Sequence, residues 1–193
     1  MTDTRSQLIE STRESIRDLG IAGATAREIT GRASANLASI TYHFGSKDLL
    51  VTEALIAEAH DLVAPVLELL TSDEPGPERA ARAASRLVEV FDRSRSQIPV
   101  YLAAVAAAPH QPELRAGLAA LWDEVTDHLA TDIERQRDDG MLPAWVRPRA
   151  MASVIVAVVN GVVVAAALDP DGVDHTAIAA QLLALLLSAR PDA

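Results

Sequence analysis

The sequence contains no cysteine and few aromatic residues, and the first absence excludes several classes of protein. None of its 193 residues is a cysteine, 3% are aromatic and 49% are hydrophobic. Without cysteine the chain has no disulfide scaffold and no cysteine-based zinc or redox site. The hydrophobic fraction is high enough for the core of one or two domains, which excludes a disordered chain.

Basic charge is also scarce. Lys+Arg number 17 against 27 Asp+Glu, and a formal charge of −10 by itself argues against nucleic acid as a partner. The charge is uneven, however, because residues 1–50 balance six basic against six acidic side chains and all the net negative charge lies beyond them. Lys47 in this neutral part is the only lysine. Such asymmetry indicates two regions with different roles.

No secretory signal opens the sequence, so we predict a cytoplasmic protein without a membrane partner. One apolar run, residues 151–168, approaches the ~20 residues that span a bilayer. It is rich in alanine and valine and contains Asn160. These features favour a helix that is buried on all sides within the protein or a dimer, and a transmembrane helix is the alternative.

Apolar periodicity predicts an all-α fold. The spacing and the Gly and Pro breaks predict helices at about residues 4–19, 25–33, 37–44, 46–70, 77–94, 98–107, 112–139, 147–168 and 174–189. Thr25 and Glu28 fit a capping box, Asn36 fits an N-cap, and an apolar stripe is predicted to begin at Leu49. Eight β-branched residues would also suit a buried strand in the 150s, but the length of the segment favours a helix.

Residues 25–44 have the dimensions of a helix-turn-helix, in which the second helix enters the major groove of DNA. This second helix begins with small or apolar side chains suited to base edges, and Lys47 would place a cation near phosphate in the first turn of the following helix. The alternative is two ordinary helices of a bundle, with Tyr42 and Phe44 in the core and Lys47 solvated.

The residues themselves favour the first interpretation. Thr25-Ala-Arg-Glu-Ile29, Ala33 and the segment from Ile40 to Leu50, with its Tyr-His-Phe-Gly-Ser-Lys series, resemble the N-terminal domain of the TetR family of transcriptional regulators. The resemblance covers about residues 5–60 and continues more loosely along the rest. Departures from the family pattern occur at Thr30, Ser34 and Ala35, where the family usually has alanine, glycine and a β-branched residue, and at Thr41, where tyrosine is common.

The resemblance implies a helix-turn-helix domain at 1–48 and a helical ligand-binding and dimerisation domain at 49–193. It also implies a ligand-responsive regulator, most often a repressor, released from a near-palindromic operator by a small apolar inducer. The residues it assigns to DNA are Thr25, Arg27, Asn36, Leu37, Ala38, Ser39, Thr41, Tyr42, His43 and Lys47. Of these, Leu37 and Ala38 can offer only apolar contact, for instance to a thymine methyl group.

A homodimer is implied as well, and the sequence offers surfaces for it. Gly161 and Ala165 are small residues one turn apart, with Leu182 and Leu186 supplying bulk in the last helix. A monomer with these leucines inside is the alternative. Polar residues that could orient a ligand in an aliphatic pocket are His60, Tyr101, Trp122, Thr126 and Asn160, each of which could instead be structural.

Enzyme motifs are lacking. The sequence has no Gly-rich phosphate loop, no HExxH and no GxSxG, so we predict no enzyme, no cofactor and no metal site. A helical small-molecule or partner-binding protein without operator binding is the alternative function.

Overall fold

A computed structural model describes residues 3–71 and 97–169, together with residues 172, 174, 177, 178, 180, 181 and 184. Among these residues the regular structure is helical, without a strand, as predicted. The helix predicted at 77–94 lies outside the described residues. So does much of the one predicted at 174–189, although Asp174 accepts a hydrogen bond from the N–H of Ala177 (2.8 Å) and residues 177 and 178 are helical.

The helix bounds agree with the predicted ones to within a few residues. They are α1 Thr4–Gly23, α2 Ala26–Arg32, α3 Leu37–Phe44, α4 Lys47–Thr71, α5 Ile98–Ala107 followed by a short 3₁₀ turn Ala108–His110, α6 Pro112–Asp138 and α7 Pro148–Leu168. The segment that could have been a buried strand is therefore helical, as its length favoured.

Side-chain caps determine where the short helices begin. The Thr25 hydroxyl accepts from the N–H of Glu28 (3.2 Å), and the Asn36 carbonyl oxygen accepts from the N–H of Ser39 (2.9 Å). The reciprocal half of the predicted capping box is wrong. The Thr25 N–H donates to Gly23, and the Glu28 carboxylate accepts from Arg32, a charged donor that neutral backbone cannot match.

The end of α1 differs from the prediction. Gly20, predicted to end the helix after residue 19, does take a positive φ of 71°. The helical backbone resumes beyond this kink and continues to Gly23. The short extension leads directly into the Thr25 cap of α2.

Contacts divide the chain into two compact units. The first holds residues up to 62 and those from 95 to 120, and the second holds the remainder. The first unit has a core of fully or nearly fully buried apolar side chains from α1 to α6, including Leu8, Ile29, Ile40, Leu50, Leu55, Val100 and Leu114. A cluster of Ile133, Val146 and Ala152 lies in the second.

The apolar stripe of α4 begins one residue later than predicted. Leu50 is fully buried, whereas Leu49 is half exposed, so the prediction that the stripe begins at Leu49 is wrong. With 3.6 residues per turn, Leu50 lies on one face with Ala54 and Leu55, and Leu49 falls outside it. Adjacent leucines could not be told apart by periodicity alone.

The apolar helix α7 is long enough and apolar enough to cross a membrane, by length and composition. The expectation of burial on all sides is not met within the single chain. Ala152, Val162 and Val163 are buried, but Val154 and Val164 are exposed. One face of α7 therefore has apolar surface that the described part of this chain does not cover.

Candidate nucleic-acid interface

Two short helices and a tight turn form the candidate interface. Ile29 of α2 and Ile40 and Phe44 of α3 are buried, and α1 contacts both helices. The turn depends on Ser34, whose φ of 50° lies in the left-handed region, and the N–H of Ala35 donates to Thr30 (3.0 Å). Inward apolar residues thus leave the other face of α3 to solvent.

All ten residues assigned to DNA lie at the surface. Ser39, His43 and Lys47 are half-buried or exposed, as are the other seven. Tyr42 is 84% exposed and Leu37 52% exposed, so both large side chains are accessible to a partner. The alternative that placed Tyr42 in the core is therefore wrong, although Phe44 is buried as that alternative expected.

Polar groups at the start of α3 are bonded to one another. The Asn36 side-chain oxygen accepts from both the N–H and the hydroxyl of Ser39, at 2.9 and 3.1 Å. Leu37 and Ala38 lie between them and have no polar side-chain atom. The first turn of α3 therefore presents mainly apolar surface, with its hydrogen-bonding groups engaged locally.

Ion pairs within the protein engage most of the basic side chains of this region of zero net charge. Four of its arginines pair with carboxylates inside the unit: Arg5 with Glu53, Arg13 and Arg17 with Glu58, and Arg32 with Asp18 and Glu28. Lys47 lies 3.2 Å from the exposed Asp48. Arg27 has no hydrogen bond or ion pair among the described residues 3–50, so its exposed guanidinium is available to a partner.

Two of these arginines also have an altered environment. Burial of Arg13 disfavours its charged form, but the charge and hydrogen bond of the Glu58 carboxylate, with the hydrogen bond of Asp61 and the charge of Glu10, together hold the pKa of Arg13 above its ordinary value. The hydrogen bonds of Arg32 to Glu28 and then Asp18 likewise raise the pKa of Arg32. Both guanidiniums are therefore committed to the protein rather than to a ligand.

The carboxylate of Glu58 is 0% exposed, and no pattern in the sequence had singled it out. It accepts from Arg13 and, at 3.5 Å, from Arg17, so a charged group from α4 lies against α1. The spacing of Arg13 and Arg17, one turn apart, was a signal for a shared partner. Nothing in the sequence says that the partner is on α4.

The candidate ligand residues lie in both units. His60 is exposed and Tyr101 is buried, and both belong to the first unit. In the second unit, the Thr126 hydroxyl donates to the backbone oxygen of Trp122 (2.7 Å), and Asn160 donates to that of Val156 (2.9 Å). No group of three or more His, Asp or Glu side chains that could hold a metal occurs in the part of the chain that the structure describes.

The candidate dimer residues on α7 are at the surface. Gly161 and Ala165 are exposed, and a Cβ atom added at Gly161 would have no neighbour within 4 Å. Leu182 and Leu186, the other two predicted interface residues, lie outside the described residues.

Comparison with known families agrees with this arrangement. Residues 8–54 match the family described as bacterial regulatory proteins, tetR family. Residues 77–190, more than half of the chain, match the C-terminal domain of BetI-type transcriptional repressors.

Individual proteins give the same result. The HTH-type transcriptional regulator BetI 1 of Chromohalobacter salexigens is 29% identical over 177 residues, covering 88% of this chain and 82% of its own length. A transcriptional regulator structure from Pseudomonas aeruginosa PAO1 superposes with a TM-score of 0.81 at 19% identity, covering 96% of this chain and 90% of that one. The structure of the multidrug binding protein EbrR complexed with imidazole superposes with a TM-score of 0.72 at 23% identity, covering 100% of this chain and 98% of that one. At these identities the two structures show a common fold.

Proposed function

Because this chain belongs to the TetR family of transcriptional regulators, we propose that it is a repressor that a small apolar molecule releases from a near-palindromic operator. The family and its BetI relatives are DNA-binding regulators and not enzymes, and family members act as dimers that bind operators and small molecules. The observation that carries the proposal is the exposed face of α3, together with the exposed Arg27, which has no partner among the described residues.

On DNA, we propose that α3 lies in the major groove and that Leu37, Ala38 and Ser39 face the bases. Arg27 is well placed for a base edge or a phosphate, since its guanidinium has no partner among the described residues of its unit. The proposed phosphate contacts are made by polar side chains around α2 and α3, namely Thr25, Thr41, Tyr42, His43 and Lys47, with Asn36 capping α3.

Selection of bound sequences from a random DNA pool tests operator binding. We expect an enriched sequence with two-fold symmetry, because a symmetric dimer presents two identical copies of α3 to the DNA. Arg27→Ala should relax base preference, whereas Lys47→Ala should weaken binding to all sequences and lower the log–log salt slope by ~1 for each phosphate that the lysine neutralises. A protein that enriches no sequence would instead support the alternative of a helical ligand-binding or partner-binding protein without an operator.

The dimer interface is proposed to include α7. Its exposed Gly161 and Ala165 would allow close approach of a second copy, and its exposed valines supply apolar area. Leu182 and Leu186 are proposed to complete the interface. This explains a long apolar helix in a family whose members are soluble, intracellular regulators, and we place the protein in the cytoplasm.

We propose that the domain from residue 49 onward binds the ligand, and that residues 1–48 bind DNA. An apolar ligand is favoured by the scarcity of aromatic side chains and by the largely aliphatic composition of α5, and the neighbour EbrR is a multidrug binding protein. His60, Tyr101, Trp122, Thr126 and Asn160 remain the candidates to orient it.

Reciprocal coupling tests the inducer. A ligand releases DNA only if it prefers the conformation that binds DNA poorly. The operator must therefore lower the affinity for the ligand by the same factor as the ligand lowers the affinity for the operator. A thermal-shift screen of apolar metabolites would identify a ligand. Calorimetric titration of that compound with and without operator would then measure the factor, and equal affinities in the two titrations would exclude it as an inducer.

A further inference from the structure

A cluster of ion pairs joins α1 to α4, and its centre is the buried carboxylate of Glu58. Glu58 is 0% exposed and pairs with Arg13, whose side chain is 13% exposed, and with Arg17 at 3.5 Å. Arg13 also reaches Asp61 at 2.8 Å. Every group of this cluster, which we define as Arg13, Arg17, Glu58 and Asp61, lies on α1 or α4.

A second, more exposed ion pair joins the same two helices nearer their N-terminal ends. Arg5 of α1 pairs with Glu53 of α4, so residue numbers rise together along the two helices. The guanidinium of Arg5 also lies 5.1 Å from the centre of the Phe44 ring, a cation–π contact with α3. The charged contacts therefore extend over several turns of α1 and end against the recognition helix.

The energetics of buried ions argue for a role other than stability. Removing two charges from water costs about as much as their attraction returns, and apolar residues of similar volume are often equally stabilising or better. What charged groups add is geometry, because a guanidinium satisfies a carboxylate only in a narrow range of positions. A slip of α1 along α4 by one residue, ~1.5 Å, would leave a buried carboxylate poorly paired.

The position of α1 on α4 is coupled to the position of α3 relative to α4. α1 contacts α2 and α3, and Arg32 of α2 pairs with Asp18 of α1 at 2.7 Å. α1, α2 and α3 therefore share contacts that let them move as one body, and the cluster is a buried polar link between this body and α4. In a dimer, such a link would determine the distance between the two α3 helices.

We infer that the Arg13–Glu58–Arg17 cluster is a positioning device that makes the protein selective for one spacing of operator half-sites, a role that rests on the proposed DNA-binding dimer. Glu58 is a positioning residue and touches no DNA. One base pair changes the half-site separation by ~3.4 Å and rotates one half-site relative to the other. When the cluster holds α1 rigidly on α4, the two α3 helices cannot adjust to the altered spacing and binding weakens. When the cluster is removed, the α3 helices can adjust to it.

The test compares the selected operator with versions whose half-sites are one base pair closer or farther apart. Wild type should lose at least about tenfold in affinity at either altered spacing, comparable to a mismatched contact. The double variant Arg13→Met/Glu58→Leu keeps the volume and leaves no uncompensated carboxylate at the cluster's centre. Its affinities for the three spacings should lie within about threefold of one another, as expected if the ion pairs hold α1 in register on α4. Glu134→Gln, which neutralises the exposed partner of Arg137 on α6, is the control and should behave as wild type.

Thermal denaturation of each variant accompanies the binding data, with Glu58→Gln as the second variant. A folded double variant, or failing that a folded Glu58→Gln, that keeps wild-type spacing selectivity would overturn the inference. If neither variant folds, the inference also fails, because the cluster is then a requirement of the fold. A wild type that binds no two-fold sequence would contradict the proposed function itself, and the inference with it.

Discussion

Leu37 is the side chain on which base recognition by α3 is expected to depend most. It is 52% exposed in the first turn of α3, while the neighbouring Ser39 hydroxyl is bonded to Asn36. In the major groove the apolar group on a base edge is the methyl group of thymine. We therefore expect the half-site to place thymine against Leu37.

Uracil substitution tests this contact. Replacing the contacted thymine by uracil removes one methyl group and should weaken binding about fourfold, the factor that ~0.8 kcal/mol gives. In Leu37→Ala the same replacement should change affinity little. Leu19→Ala is the matched control, because Leu19 on α1 is also 52% exposed and is not among the proposed DNA contacts. An undiminished uracil effect in Leu37→Ala would assign methyl recognition to another residue.

Ser34 is a second residue whose local conformation leads to a prediction. Its φ of 50° costs an L-residue about 1–2 kcal/mol, and the family usually has glycine here. Ser34→Gly should raise the free energy of unfolding by about 1 kcal/mol, measured by urea denaturation. Ala35→Gly, next in the chain but without a positive φ, should lower it. Equal effects of the two changes would show that the turn is not strained.

At the scale of elements, close packing of α4 and α6 depends on a glycine. A Cβ atom at Gly117 of α6 would lie 2.4 Å from Cδ1 and 2.9 Å from Cγ1 of Ile56 on α4. Those separations are too short for carbon atoms, so one side chain would have to move. The absence of a side chain at 117 thus determines how near α6 approaches α4.

A double-mutant cycle measures this packing. Alanine at a helical glycine normally gains about 1 kcal/mol, as we expect for the open position Gly31→Ala. Gly117→Ala should lower the free energy of unfolding of the wild-type chain. In a chain that also carries Ile56→Ala it should raise it, because both clashing carbon atoms of Ile56 are gone. The coupling in thermal or urea denaturation should reach about 1 kcal/mol. Additive effects of the two substitutions would show that α6 can move away from Ile56 without a loss of stability.

At the scale of the whole molecule, charge and assembly are the properties that matter. The charge of −10 lies entirely beyond residue 50, and interactions between exposed charges are screened over ~8 Å at physiological salt. We therefore expect DNA to meet the neutral N-terminal region and its Arg27, which has no partner among the described residues, rather than the average charge of the chain. An acidic composition is in this way compatible with operator binding.

Gly161→Leu tests the assembly. Gly161 is exposed and a Cβ atom added there meets nothing within 4 Å in the single chain, so the protomer should remain folded, whereas a second copy of α7 would be held away. Sedimentation should show a shift from dimer to monomer, and operator affinity should fall because both half-sites must be bound together. Ala116→Leu, at an exposed position on α6, should change neither. A wild type that is monomeric at micromolar concentration would contradict the interface.

The sequence by itself determined the features that local chemistry controls. Helix bounds followed to within a few residues from apolar spacing, from the Thr25 and Asn36 caps and from Gly and Pro at the joints, because each of these acts within one helical turn. The surface position of the ten DNA-binding candidates followed from residue pattern and family resemblance. Periodicity could not decide between adjacent leucines, and it placed the start of the α4 stripe at Leu49 instead of Leu50.

Only the tertiary structure decided which charges are left for a partner. Residues 1–50 contain six cations, and their sequence does not say that Arg5, Arg13 and Arg17 are paired with carboxylates of α4 while Arg27 has no partner among the described residues. Those pairs join residues 41 to 48 positions apart. Such contacts depend on how α1 packs on α4, and the energy of an ion pair depends on its burial, which no local pattern encodes.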